Sequence, residues 1–157
     1  MWLRSMKWWR RFAGLFFDGA ELQVRVGDGR RVLEEELPGI YDGIILDAFS
    51  EKGTPRHLVS RSFFRLAAER LHSGGLILLN VFGRGAGDGL VAAIATTLLE
   101  ELDDVRVFSL PAEPPHELRN MIIAGSRRPI SYQGRQMAGF VEVRPPEGYI
   151  IAEDEEE

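Results

Sequence analysis

The stretch Tyr41–Pro55, YDGIILDAFSEKGTP, constrains this fold most. Gly43-Ile44-Ile45-Leu46 is apolar without interruption, ends abruptly on Asp47, and opens into a polar loop with Gly53 and Pro55. A short apolar run bounded by turn residues predicts a strand over 41–47, buried on both faces. Ligands of open α/β sheets sit at the carboxyl ends of such strands. Asp47 is therefore a candidate site carboxylate. Asp42 stands at the other end of the same strand and reads as structural.

A second run, Leu76-Ile77-Leu78-Leu79, predicts a strand continuing to Phe82. Between the two, Ser60 is placed to cap a helix ending near His72, with Val59 and Phe64 as its hydrophobic staple. Phe63, Phe64, Ala67 and Leu71 form its packing face, and Ser73-Gly74-Gly75 is placed to end it. Asp88, in the loop Gly83–Gly89, caps a helix over about 89–102 with Leu90, Ile94, Leu98 and Leu102 as its stripe. Strands follow at 105–110 and 119–125. The loop between them is too short for a crossover helix, so the pair should be antiparallel. A small hairpin is expected around Phe140–Val143.

Upstream, Trp2, Met6, Trp9 and Ala13 recur at helical spacing and predict a helix over 2–13. Leu22–Val26 alternates and predicts a strand that ends at Gly27-Asp28-Gly29. A short helix through Val32, Leu33 and Leu37 stops at Pro38-Gly39. Strands alternating with helices imply an α/β fold with a mostly parallel sheet and an antiparallel strand at one edge. One domain over 1–150 and an acidic disordered tail over 151–157 account for the chain.

With 19 basic and 24 acidic residues the net charge is −5, and Glu153–Glu157 contribute five of the negatives. The remainder is neutral, which argues against a nucleic-acid binder. The absence of cysteine excludes disulfides and thiolate metal sites and is compatible with a cytoplasmic protein. No apolar run is long enough to span a bilayer. His57, His72 and His116 lack metal-ligand spacing, and no metal is expected.

Three stretches together resemble the spermidine synthase-like family, the polyamine aminopropyltransferases. They are RRFAGLF with LQVRVGDGRRVL, then YDGIILDAFSEKGTPRHLVSRSFFRLAAERLHSGGLILLNV, then RNMIIAGS. They cover roughly residues 8–126 and correspond to the C-terminal part of the S-adenosylmethionine-type Rossmann domain. The resemblance implies a partial methyltransferase-like Rossmann fold. It implies a transferase of polyamine biosynthesis that moves an aminopropyl group from decarboxylated S-adenosylmethionine to a diamine. Asp47 takes the catalytic place. Asp28, flanked by Gly27 and Gly29, takes the place of the carboxylate that receives the adenine amino group, and Ala48 lies beside the nucleoside. Asn80 and Arg84 are expected to face the same cleft. Ser50 stands where the family has a diamine-binding aspartate, and Glu51 is the nearest carboxylate to replace it.

The family's glycine-rich loop, its ribose-holding acidic residue and its N-terminal β-domain have no counterpart in the residues before Leu22. The two strands expected between 22–26 and 41–47 are missing with them. Two other readings follow. One is a methyltransferase-like protein using S-adenosylmethionine, which the change to Ser50 favours. The other is a non-catalytic module that dimerises or docks through an open sheet edge and its tryptophan-rich first helix.

Overall fold

The computed structural model describes residues 23, 25–48, 53–112 and 114–153. Helix α1 (Gly29–Glu35) leads into strand β1 (Tyr41–Leu46), and a 3-10 turn (Arg56–Leu58) follows. Helix α2 (Arg61–Arg70), strand β2 (Leu71–Gly83) and helix α3 (Gly89–Leu99) come next. Strands β3 (Asp104–Ser109), β4 (Arg119–Ser126) and β5 (Val141–Val143) complete a sheet of order β1-β2-β4-β3-β5. β1 and β2 are parallel neighbours, whereas β4 runs antiparallel to both β2 and β3, and β5 antiparallel to β3. Three strands, β1, β2 and β3, thus share one direction, and an antiparallel strand closes one edge.

The helices start where the sequence supplies caps. Ser60 Oγ accepts from the Phe63 amide at 3.3 Å, and Val59 and Phe64 are both buried behind it. Asp88 Oδ1 accepts from the amides of Leu90 and Val91 at 3.0 and 3.1 Å. Each cap satisfies amides that the first helical turn cannot pair. Alternation along β2 then sends Ile77, Leu79 and Val81 to one face, where they are buried against Phe63, Phe64, Val91, Ile94 and Leu98. Gly125 on β4 lets α3 approach closely, since a Cβ there would stand 2.7 Å from Leu98 Cδ2.

Among the described residues the opposite face is covered on one side only. Over β3, Tyr132 packs edge-on against the buried Phe108 at 4.8 Å. Over β1, Ile45 is 75% exposed. The run 43–46 is therefore not buried on both faces, as its unbroken apolarity suggests. Ile44 and Leu46 join the helix-side core and Ile45 does not. Among the described residues no strand pairs with the outer edge of β1.

Several boundaries differ from expectation. Ser73-Gly74-Gly75 does not end α2, which stops at Arg70; it lies within β2. The register jumps from Tyr41↔Leu71 to Gly43↔Leu76, so these small residues form an irregularity that β1 bypasses. α1 stops before Leu37, which is 73% exposed. The hairpin near 140 is a single strand, β5, on the edge of β3. Gln23, Arg25 and Val26 lie outside any strand, and Val26 is 86% exposed. The expected helix 2–13, with its tryptophans, lies outside the described residues.

The C-terminal segment straps the helices rather than becoming a tail at 151. Ile151 is 2% exposed; its carbonyl receives the Arg61 amide at 2.9 Å, and its amide donates to Thr97 Oγ1 at 2.9 Å. Gly148 permits the crossing, because a Cβ there would lie 2.4 Å from the Ala93 nitrogen. Glu153 accepts from Ser62 Oγ and from Arg30. Residues 154–157 lie outside the described residues.

Ile151→Ala should lower unfolding free energy by about 2–4 kcal/mol, since a buried aliphatic side chain is lost; denaturant melts check this. The hydrogen bond from Ser62, then the bond and charge of Arg30, hold the Glu153 carboxyl below its ordinary 4.5. A depressed carboxyl stabilises the fold above its unfolded value and ceases to do so as pH falls through the folded one. The gap in melting temperature between wild type and Glu153→Gln should therefore be full at neutral pH and close below about 4.5.

Candidate functional site

Asp47 is the residue that follows β1, at the carboxyl ends of β1 and β2. Because Leu46 pairs with Leu79 in register, the next pair brings Asp47 beside Asn80, on the face away from the helices. Asn80 Nδ2 donates to Asp47 Oδ1 at 3.1 Å. Asn80 Oδ1 in turn accepts from Asn120 Nδ2 at 3.4 Å. Three strands thus contribute one residue each to a polar chain, Asn120–Asn80–Asp47, that runs up to the carboxylate. An exposed carboxylate with one oxygen oriented by an amide keeps its other oxygen free to accept a proton or an ammonium.

Nothing in the sequence singles out Asn120, which is one polar residue ahead of an apolar run. The antiparallel register of β2 and β4, Phe82↔Asn120 and Asn80↔Ile122, is what places it diagonally from Asn80. Asn80 meets Asp47 as expected. Arg84 does not join them: its Nη1 donates to the His116 carbonyl at 2.9 Å, in the loop between β3 and β4.

Asp28 stands at the same end of the sheet. The end of α1 meets the end of α2, where Arg70 Nε donates to the Leu33 carbonyl at 2.8 Å, and its start meets the 3-10 turn that follows β1. Asp28 caps α1, with Oδ1 accepting from the Arg30 amide at 2.9 Å. Its Oδ2 lies 2.7 Å from His57 Nε2. Burial pushes the Asp28 carboxyl up, but hydrogen bonds from His57 and the Arg30 amide, with the His57 charge, outweigh it and hold the group below its ordinary value. No spacing announces the His57 contact, because it joins the cap of α1 to the 3-10 turn that follows β1.

Gly27 and Gly29 flank Asp28 in the open: a Cβ at either would meet nothing within 4 Å. Ala48 packs against the core and is half-buried. Ser50 and Glu51 lie outside the described residues. The structure therefore brings Asp47 and Asn80 together and gives Asp28 a partner of its own. Cavities of about 570 and 700 Å³ open elsewhere on the molecule, and Asp47 lines neither.

No protein-family model matches the sequence, and no curated protein matches it. Solved structures do. A probable spermidine synthase from Corynebacterium glutamicum ATCC 13032 superposes with a TM-score of 0.62 at 25% identity, over 83% of this chain and 47% of that one. A spermidine synthase in complex with the transition state analogue AdoDATO gives a TM-score of 0.54 at 14% identity, over 76% of this chain and 39% of that one. The spermidine synthase from Thermotoga maritima gives 0.53 at 13% identity, over 76% and 40%. The chain spans less than half the length of each of these proteins. Over the part of the domain that it spans, it has a spermidine synthase-like, partial Rossmann fold.

Proposed function

We propose that this chain carries the acceptor-side half of an aminopropyltransferase site, with Asp47 as its proton-accepting carboxylate. The observation that carries the reading is the Asn120–Asn80–Asp47 chain, which lies at the carboxyl ends of β1 and β2 and the start of β4 in a spermidine synthase-like sheet. An amine must be neutral to attack carbon. Asp47 would hold the protonated amine as its counter-ion and take one proton from it, which frees the nitrogen lone pair to form the new N–C bond. The C–S bond breaks with its electrons passing to sulfur, which converts the sulfonium of decarboxylated S-adenosylmethionine into neutral methylthioadenosine. A diamine or related polyamine is the acceptor, and Ser50 and Glu51, just beyond Asp47 in sequence, are proposed to line its path.

Asp28 is proposed to receive the adenine amino group, with the backbone of Gly27, Gly29 and Ala48 beside the nucleoside. Both Asp28 oxygens already accept one hydrogen bond, and a carboxylate offers about four acceptor positions, so capacity remains. This is a thin set of nucleoside contacts. Methylthioadenosine should therefore bind the isolated chain with a dissociation constant above about 100 μM. A saturable micromolar calorimetric signal would contradict that.

Product analysis tests the reaction. Incubation with decarboxylated S-adenosylmethionine and putrescine should release methylthioadenosine, and Asp47→Asn should slow release by about 10²–10⁴-fold. Transfer of labelled methyl from S-adenosylmethionine instead would assign the chain to methyl transfer. No turnover with either donor would leave it an interaction module, the role favoured by the β1 edge, which is unpaired among the described residues.

A further inference from the structure

We propose a second binding site, independent of Asp47, in the cavity of about 700 Å³ between the Gly83–Gly89 loop and the loop from Leu110 to Arg119. Its ligand is a small organic molecule bearing an oxyanion, phosphate or carboxylate, recognised by Arg84 and Arg119.

The site lies on the other side of the sheet edge from Asp47. Asn120 and Arg119 are successive residues of β4, and successive strand residues point to opposite faces. Asn120 joins the Asp47 chain, while Arg119 lines the cavity. Both guanidiniums are tied to successive carbonyls of the same loop. Arg84 Nη1 donates to the His116 carbonyl, and Arg119 Nη2 to the carbonyl of the preceding residue, Pro115. Arg119 also reaches the carbonyls of Glu117 and Leu110.

Neither arginine meets a carboxylate among the described residues. Arg106, by contrast, sits between Asp104 and Glu142 at 2.9 and 3.0 Å. Among the described residues these two charges are answered by carbonyl dipoles rather than by a carboxylate, and an anion in the cavity that both line would supply the missing countercharge. Arg84 spends one of its five N–H donors in this way and keeps the rest for a planar oxyanion.

One carboxylate, Asp88, also lines the cavity, but it is already engaged. Its Oδ1 accepts the Leu90 and Val91 amides, and its Oδ2 accepts the Arg84 amide at 2.9 Å. Glu117 does not line the cavity. Leu110, Pro111, Val141 and Val143 supply an apolar wall, and the volume exceeds what a bare phosphate fills. Both features point to an organic body behind the anionic group.

The test is calorimetric titration of the full chain with pyrophosphate, with succinate, and with spermidine as the cationic control. At least one anion should bind saturably, in the millimolar range or tighter, and more weakly as ionic strength rises. Tighter pyrophosphate would mark a phosphate ligand, and tighter succinate a carboxylate; either supports the site. Arg84→Gln keeps a donor for the His116 carbonyl but loses the charge and the fork. It should weaken anion binding about tenfold or more while leaving the melting temperature unchanged. Arg119→Gln should weaken it likewise. Absence of saturable anion binding, equal affinity in Arg84→Gln, or spermidine binding that depends on Arg84 would each overturn the proposal.

Discussion

The two-sidedness of β2 is the constraint on which the rest of this structure depends. One strand packs Ile77, Leu79 and Val81 into the core and turns Leu76, Leu78, Asn80 and Phe82 the other way. The first set packs against α2 and α3 on a single face. The second set makes the site, because Asn80 is its only member that reaches Asp47 with a hydrogen bond among the described residues. A slip of one residue in the β1–β2 register would put Asn80 in the core and a leucine beside Asp47. The apolar contacts that fix register and the amide that orients the carboxylate are therefore two consequences of one alternation.

The same two-sidedness explains which parts of the fold were legible in the sequence. The caps at Ser60 and Asp88 were visible because capping is local chemistry over three or four residues. The antiparallel pairing of β3 and β4 followed from a loop length. Ile45 is not legible, because an apolar run states that a strand can be buried on both faces, not that both covers are present. Ser73-Gly74-Gly75 is ambiguous, because a helix end and a bulge call for the same small residues. Ile151 is masked by its acidic neighbours. It is buried by contacts with Arg61 and Thr97, tens of residues away, which no local pattern reports.

The site was legible to the same degree. Asp47 and Asn80 each end an apolar run in parallel neighbouring strands, so their meeting could be anticipated. Asn120 could be reached only through the antiparallel register. The contact between His57 and Asp28 could not be anticipated, since it joins a helix cap to a 3-10 turn across a loop. This contact alters what Asp28 can do. A carboxylate that already receives an imidazole and an amide is a weaker magnet for a third donor than a bare one. Nucleoside recognition resting on Asp28 alone would be shallow for that reason.

Asp47 faces the converse situation. Its carboxylate is oriented but exposed, lining neither of the two cavities described above, beside a strand edge that no described strand covers. Charge interactions strengthen as water is excluded, so an oriented carboxylate does its best chemistry under a cover. The neighbouring Ile45, 75% exposed on the same face, is the apolar surface such a cover would bury. The face that most needs a partner for stability is thus the face whose chemistry would gain most from one. In this fold, covering Ile45 and drying Asp47 are a single event.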